Sequence, residues 1–225
     1  MTLEVVSLGC RLNLSESESL RGMLGAAEDL TVVNSCAVTA EAVRQTRQAI
    51  RRARKARPDA RLLVTGCAAE VERAALAAMP EVDGLVPNAT KLDPRAWNVP
   101  AQPLTRPLTR PPATHRAHSR AFVPVQNGCD HACTFCVIPQ GRGASRSRTV
   151  AEVIADIALH LDAGAREVVL TGVDLTSWAS TCPGPAGESH GWARWWKRSS
   201  APSRRSRGCA CPRSTGSRST RRCSS

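Results

Sequence analysis

Three short apolar runs each lead directly to a cysteine, and this pattern restricts the fold more than any other feature of the chain. Leu3-Glu-Val-Val-Ser-Leu-Gly runs into Cys10, Leu30-Thr-Val-Val-Asn-Ser into Cys36, and Arg61-Leu-Leu-Val-Thr-Gly into Cys67. Runs of this length, rich in β-branched residues, read as buried strands. Helical stretches fall between them. Ser15-Glu-Ser-Glu offers a capping box, with Glu18 three residues after Ser15, opening a helix to about residue 26. Thr39 can cap a long helix that ends near Pro58. A further helix is expected around 70–79 and a short fourth strand near 82–87. Alternation of this kind implies an α/β domain built on a parallel sheet. Parallel strands bring their C-terminal ends to one sheet edge, so Cys10, Cys36 and Cys67 should meet there. Gly9 and Gly66 directly precede two of them and leave room for close backbone approach. The plain alternative is three small core cysteines, which are common.

A second cysteine set is local in sequence. Cys129, Cys133 and Cys136 are spaced C-x3-C-x2-C and follow the strand-like run Phe122-Val-Pro-Val-Gln-Asn-Gly. Three thiolates on one short loop can hold three irons of a cubic [4Fe–4S] cluster and leave the fourth open to a substrate or cofactor. Zinc is the alternative, but it prefers four ligands, and further donors would have to come from His131 or the distant His115 and His118. The strand–loop–helix setting matches the catalytic end of a parallel barrel better. Val150, Val153, Ile154, Ile157 and Leu161 predict a helix over 150–163 with one apolar face, stopped by Gly164. Residues 167–172 read as the next strand.

Composition adds limits. The N-terminus lacks a signal-peptide pattern and no stretch is long and apolar enough to span a membrane, so the chain is read as cytoplasmic. Ten cysteines in a reducing compartment point to metal or cluster ligation rather than disulfides. The net charge of +12 is uneven: residues 179–225 hold ten Lys/Arg against Glu188 alone. The same segment has no Val, Ile, Leu, Met or Phe and is expected to be disordered. A basic nucleic-acid tail is one explanation. An out-of-frame end to the gene is favoured, because ordinary α/β patterning stops abruptly after Trp178. The expected organisation is an α/β domain at 1–97, a Pro-rich linker at 98–119, an incomplete second domain at 120–178, and the tail.

The Cys129 loop, with aromatic Phe135 before its last cysteine, resembles the radical S-adenosylmethionine (SAM) enzymes. That resemblance implies SAM chelated at the open iron, with Phe135 near its adenine. The full set of segments resembles the methylthiotransferases: Ser7-Leu-Gly-Cys-Arg-Leu-Asn, Val33-Asn-Ser-Cys-Ala-Val-Thr, Val64-Thr-Gly-Cys-Ala-Ala-Glu and the Cys129 loop with Arg142-Gly-Ala-Ser-Arg-Ser-Arg. It implies two [4Fe–4S] clusters, one on Cys10, Cys36 and Cys67 for sulfur donation and one on Cys129, Cys133 and Cys136 for radical chemistry. It also implies a partial (β/α) barrel, of which 120–178 would be the first β-α-β part. Within the family, Asn34-Ser-Cys-Ala-Val-Thr, the basic helix from Arg44 and Leu170-Thr-Gly-Val-Asp-Leu-Thr-Ser-Trp resemble the branch that modifies threonylcarbamoyladenosine in tRNA. Sister branches act on isopentenyladenosine in tRNA or on an aspartate of a ribosomal protein. A non-catalytic zinc and RNA-binding protein is the alternative of another class.

Arg44, Arg47, Arg51 and Lys55 share one face of their helix, where they can meet tRNA phosphates or simply be solvated. Arg142, Arg146 and Arg148 follow the cysteine loop and are candidates for contact with RNA or SAM. No side-chain acid or base is assigned, since an adenine C–H bond is too inert for acid–base chemistry at neutral pH. The electron donor is not identified by the sequence.

Overall fold

The apolar runs of the first half form the parallel sheet that their spacing implies. β1 (Glu4–Ser7), β2 (Leu30–Ser35), β3 (Arg61–Gly66) and β4 (Gly84–Leu85) pair in that order, all parallel. The structure is a computed structural model and describes residues 3–97 and 119–178. Most of the expected linker, with His115 and His118, and the expected disordered tail at 179–225 lie outside the described residues.

Successive strand residues point to opposite faces, and both faces are covered. On one face Val33, Leu62 and Val64 pack with Ile50 and Ala53 of α2 (Ala40–Ala56) and with Ala68 and Ala69 of α3 (Cys67–Val71). On the other, Val5, Val32 and Leu63 pack with Leu20 of α1 (Arg11–Met23), with Leu24 just past its end, and with Trp97. α2 begins as expected, with the Thr39 side chain accepting from the Ala42 N–H at 3.1 Å. The helix expected over 70–79 is instead two short pieces, α3 and α4 (Arg73–Ala77), because the backbone leaves helical geometry at Glu72 (φ −109°, ψ 29°).

The expected capping box at Ser15 is corrected. α1 starts at Arg11, with Cys10 in the N-cap position, so Ser15 and Glu18 lie inside the helix. Gly9, at φ 89°, turns the chain out of β1 at once, so helix begins without further loop. The Ser15 hydroxyl donates to the Phe122 carbonyl oxygen at 2.8 Å, across to the second half of the chain.

In that second half β5 (Arg120–Pro124) and β8 (Glu167–Thr171) pair in parallel, connected through α6 (Val150–Asp162). Between β5 and α6 come β6 (Gln126–Asn127), α5 (Ile138–Arg142) and β7 (Arg146–Ser147), with β6 and β7 antiparallel. The core holds Val123, Val125, Val153, Val168, Leu170 and Trp178. A capping box does occur here: Thr149 accepts from the Glu152 N–H and Glu152 from the Thr149 N–H. The apolar face expected on α6 is only partly used. Ile154 is 48% exposed, while Asp156 and His160 are buried. Asp156 holds its place by pairing with Arg148 at 2.8 Å.

Ile50 fills the layer between α2 and the sheet. Ile50→Ala should cost about 2–5 kcal/mol in urea unfolding, through lost transfer energy and an unfilled cavity. Lys55→Ala, on the exposed side of the same helix, should change stability by no more than about 0.5 kcal/mol.

Candidate functional site

The strand register aligns Ser7, Asn34 and Thr65 in one row across β1, β2 and β3. Cys10, Cys36 and Cys67 each follow that row by two or three residues, so all three sit at the C-terminal edge of the sheet. Cys36 and Cys67 are buried, Cys10 is exposed, and all are free thiols. Glycines let the backbone close in around them. A Cβ on Gly9 would lie 2.6 Å from the Cys36 sulfur, and one on Gly141 would lie 2.9 Å from the Cys67 Cβ. Gly66 ends β3 at φ 93°, which sets Cys67 at the head of α3.

Beneath this edge lies a buried polar cluster. Glu16 is 4% exposed and accepts from Lys91 Nζ at 2.6 Å and Arg142 Nη1 at 3.0 Å. Arg142 Nη2 reaches the Asn13 side-chain oxygen at 2.5 Å and stands 4.0 Å from the Cys10 sulfur. Asn127 accepts from Arg142 Nη1 at 2.8 Å. Asn34 donates to Asn13 O and to the Ser17 hydroxyl, both at 3.0 Å, and Asn13 donates to Leu8 O and Ser35 O. Burial works against the Glu16 carboxylate, but Lys91 and Arg142 outweigh it and hold the group below its ordinary range. Burial lowers Lys91, with Glu16 opposing. Arg142 is held above its ordinary value because Glu16 and the nearby thiols outweigh its burial. Burial raises the Cys67 thiol, while Arg142 and Lys91 pull it down.

The second cysteine set lies between β6 and α5. Gln126, 1% exposed, clamps the loop base: its Nε2 donates to Gly128 O at 2.7 Å and Ser145 Oγ at 3.0 Å. Its Oε1 accepts from the Val173 and Asp174 N–H groups just past β8. Cys129 N–H donates to Gly143 O, Cys136 N–H to Cys133 O, and Asp130 accepts from the Ser145 N–H. Cys133 is exposed, Cys129 and Cys136 are partly so, and Phe135 is 90% exposed. His131 and Asp174 contact each other at 2.9 Å, and donor atoms of Cys129, His131 and Asp174 lie within 4.8 Å of one another.

The basic residues divide. Arg44, Arg47 and Arg51 line an open groove of about 570 Å³ on α2, together with Val43, Gln48 and Glu72. Each has an acidic partner: Glu41 at 2.6 Å, Glu72 at 2.9 Å and Glu81 at 3.8 Å. Lys55 and Arg146 are exposed. Arg148 is engaged by Asp156, Pro124 O and Glu152 O. The expectation of RNA contact by Arg142 is corrected: its side chain is only 3% exposed, so it is closed off from a polyanion on the surface. Glu16, Lys91, Asn13 and Gln126 were not singled out by sequence reasoning. The i, i+3, i+7 spacing of Asn13, Glu16 and Leu20 was the one available signal for the first and second. Lys91 lies outside any regular element and carried none.

Residues 2–87 match the family described as Uncharacterized protein family UPF0004, and residues 123–181 match the Radical SAM superfamily. The chain is 41% identical over 191 residues to the threonylcarbamoyladenosine tRNA methylthiotransferase MtaB of Rickettsia prowazekii, covering 80% of this chain and 45% of that protein. It is 34% identical to a tRNA-2-methylthio-N(6)-dimethylallyladenosine synthase of Anaeromyxobacter sp., covering 79% and 44%. It is 33% identical to the ribosomal protein uS12 methylthiotransferase RimO of Solibacter usitatus, covering 78% and 42%. The chain thus spans less than half the length of these relatives.

Asp174 beside the cysteine loop accepts hydrogen bonds from the Ser177 and Thr176 hydroxyls, with His131 adding to them, and its pKa is lowered to about 2. A depressed carboxylate contributes stability that is present above its ordinary value of 3.8 and lost as pH falls through about 2. Carboxyl carbon NMR should place the Asp174 midpoint near 2, and Ser177→Ala should move it up towards 3.8. An unmoved midpoint would refute the assigned cause.

Proposed function

The chain belongs to the methylthiotransferase family of radical SAM enzymes, and on that premise we propose that it takes part in 2-methylthiolation of threonylcarbamoyladenosine in tRNA. One observation carries the reading. Two all-cysteine sets, each of three free thiols, lie on either side of a seam where α5 packs against α3 and Arg142 reaches Cys10. Three thiolates in each set suit an iron–sulfur cluster with one open iron, while His131 and Asp174 add nitrogen and oxygen donors beside Cys129 alone. The glycines at Cys36 and Cys67 leave the close backbone approach such a group requires. The residues present therefore fit two [4Fe–4S] clusters, held by Cys10, Cys36 and Cys67 and by Cys129, Cys133 and Cys136.

Bound there, the clusters supply the one-electron and sulfur chemistry that an adenine C–H bond demands and that no side chain provides. The chain itself binds and orients. Gln126 and Asp130 fix the base of the Cys129 loop. Phe135, exposed beside the last cysteine, offers a stacking face for the adenine of SAM. Arg146 and Lys55 are exposed cations for tRNA phosphates, and Arg44, Arg47 and Arg51 can join them by giving up their glutamates. Domains at 1–97 and 120–178, joined by a linker, remain our proposed division. No described helix is long and apolar enough to cross a membrane, and we place the protein in the cytoplasm with its tRNA substrate. The threonylcarbamoyladenosine branch is preferred because identity is 41% to the Rickettsia relative against 34% and 33% to the two from other branches.

The test has two arms. Anaerobically reconstituted chain should hold about eight irons. Replacing Cys129, Cys133 and Cys136 together by Ala should remove about half the iron and all SAM cleavage. Replacing Cys10, Cys36 and Cys67 should remove the other half and leave SAM cleavage detectable; full iron in that variant would sink the assignment. In the source cells, deletion of the gene should abolish 2-methylthio-threonylcarbamoyladenosine in digested tRNA and spare the isopentenyl analogue.

A further inference from the structure

We propose that the buried Lys91–Glu16–Arg142 triad is the counter-charge of the Cys10/Cys36/Cys67 centre and raises its reduction potential. The inference rests on the reading of those cysteines as ligands of an iron–sulfur cluster. All three charged side chains are at most 5% exposed. One carboxylate lies between two cations, at 2.6 Å from Lys91 Nζ and 3.0 Å from Arg142 Nη1. Among the described residues, Glu16 is the sole carboxylate paired with either cation. The triad therefore keeps one unmatched positive charge inside the protein, where water cannot solvate it.

That charge faces sulfur. Arg142 Nη2 is 4.0 Å from the Cys10 sulfur, and the neighbouring Gly141 backbone packs against Cys67, where a Cβ would lie 2.9 Å from the Cys67 Cβ. The neutral side chains around the triad, Asn13, Asn34 and Asn127, offer oxygens to the cations but no charge. A cluster on three thiolates is anionic and gains a further negative charge on reduction. A fixed cation beside it favours the reduced form, and the triad that carries it is buried, so its charge is little screened even though Cys10 itself borders solvent. Arg142 has a second effect as a positioning residue. It lies six residues past Cys136, so its bonds to Glu16 and Asn13 tie the two cysteine sets together.

The charge role is read from a potential of opposite sign in two variants. The parent is the full chain carrying Cys129→Ala, Cys133→Ala and Cys136→Ala, reconstituted anaerobically with iron and sulfide so that one cluster remains. Redox titration is followed by EPR. Lys91→Met removes a positive charge and should lower the reduced-to-oxidised ratio at fixed potential about tenfold, a shift of about 59 mV for one electron. Glu16→Gln removes the negative charge and should shift the potential the other way by a similar amount. Arg142→Lys keeps the charge, loses the fork and should retain the parent's potential. Unmoved potentials, or shifts of one sign in the first two variants, would overturn the proposal while leaving the cluster in place. A parent that binds no iron would overturn the ligand assignment and this inference with it. The two charge variants are independent, so misfolding of one leaves the sign of the other to decide.

Discussion

Glu16 accepts from two buried cations at once, one on the segment after β4 and one on α5, and the join between the halves of the chain depends on that geometry. Charges this far from water are tolerated only as a hydrogen-bonded set, and removing one member of such a set costs about 3–5 kcal/mol. That is a large share of the roughly 5–15 kcal/mol that stabilises an ordinary domain. α1, the Lys91 segment and α5 therefore stabilise one another's placement. Smaller contacts along the same join agree with it: Ser15 donates to Phe122 O, and Asn88 Nδ2 donates to Gly141 O at 2.5 Å.

The join explains why backbone rather than side chain fills the space around the inner cysteines. Gly141, next to Arg142, sits where any Cβ would press on Cys67, and Gly9 does the same against Cys36. With α5 held against α3, only glycine at these two positions lets the backbone pass this close to the Cys36 and Cys67 side chains. The outer loop is organised differently. Gln126 fixes its base through main-chain groups from the segment just past β8 and from the Gly128 turn, while Cys133 and Phe135 are exposed.

What could be read from sequence follows from this division. The placement of Cys10, Cys36 and Cys67 along one sheet edge was legible because strand periodicity and parallel pairing together determine which edge a residue occupies. The start of α1 was not. Ser15 and Glu18 satisfy a capping pattern, but the glycine turn at φ 89° had already started the helix. Glu16 and Asn13 were not singled out because polar residues on a helix gain their meaning only when Arg142 and Lys91 are placed against them. Arg142 itself lies in a Gly- and Ser-rich segment that reads as an exposed loop, and only the tertiary pairing buries it. The α2 arginines were placed on the correct face, but Glu72 and Glu81 come from distant sequence, so their neutralising effect was invisible.

The two cysteine sets differ in exposure, and electrostatics then demands different support for each. An anionic group on the Cys129 loop borders solvent, where water and mobile ions balance its charge, so no fixed cation need be buried beside it. An anionic group on Cys10, Cys36 and Cys67 meets water only on the Cys10 side, because the other two thiols are buried. Its compensation has to be built into the protein, at the cost of holding cations in a low-dielectric interior even while the site is unloaded. Glu16 is what makes that holding possible: it offsets most of the cost of two buried cations and still leaves one charge of the right sign facing the thiols. A single buried lysine would be driven to lose its proton, and a neutral Lys–Glu pair would offer the sulfurs no net charge. Two cations sharing one carboxylate are the smallest set that meets both demands, and the second cation comes from the segment that carries the other cysteines.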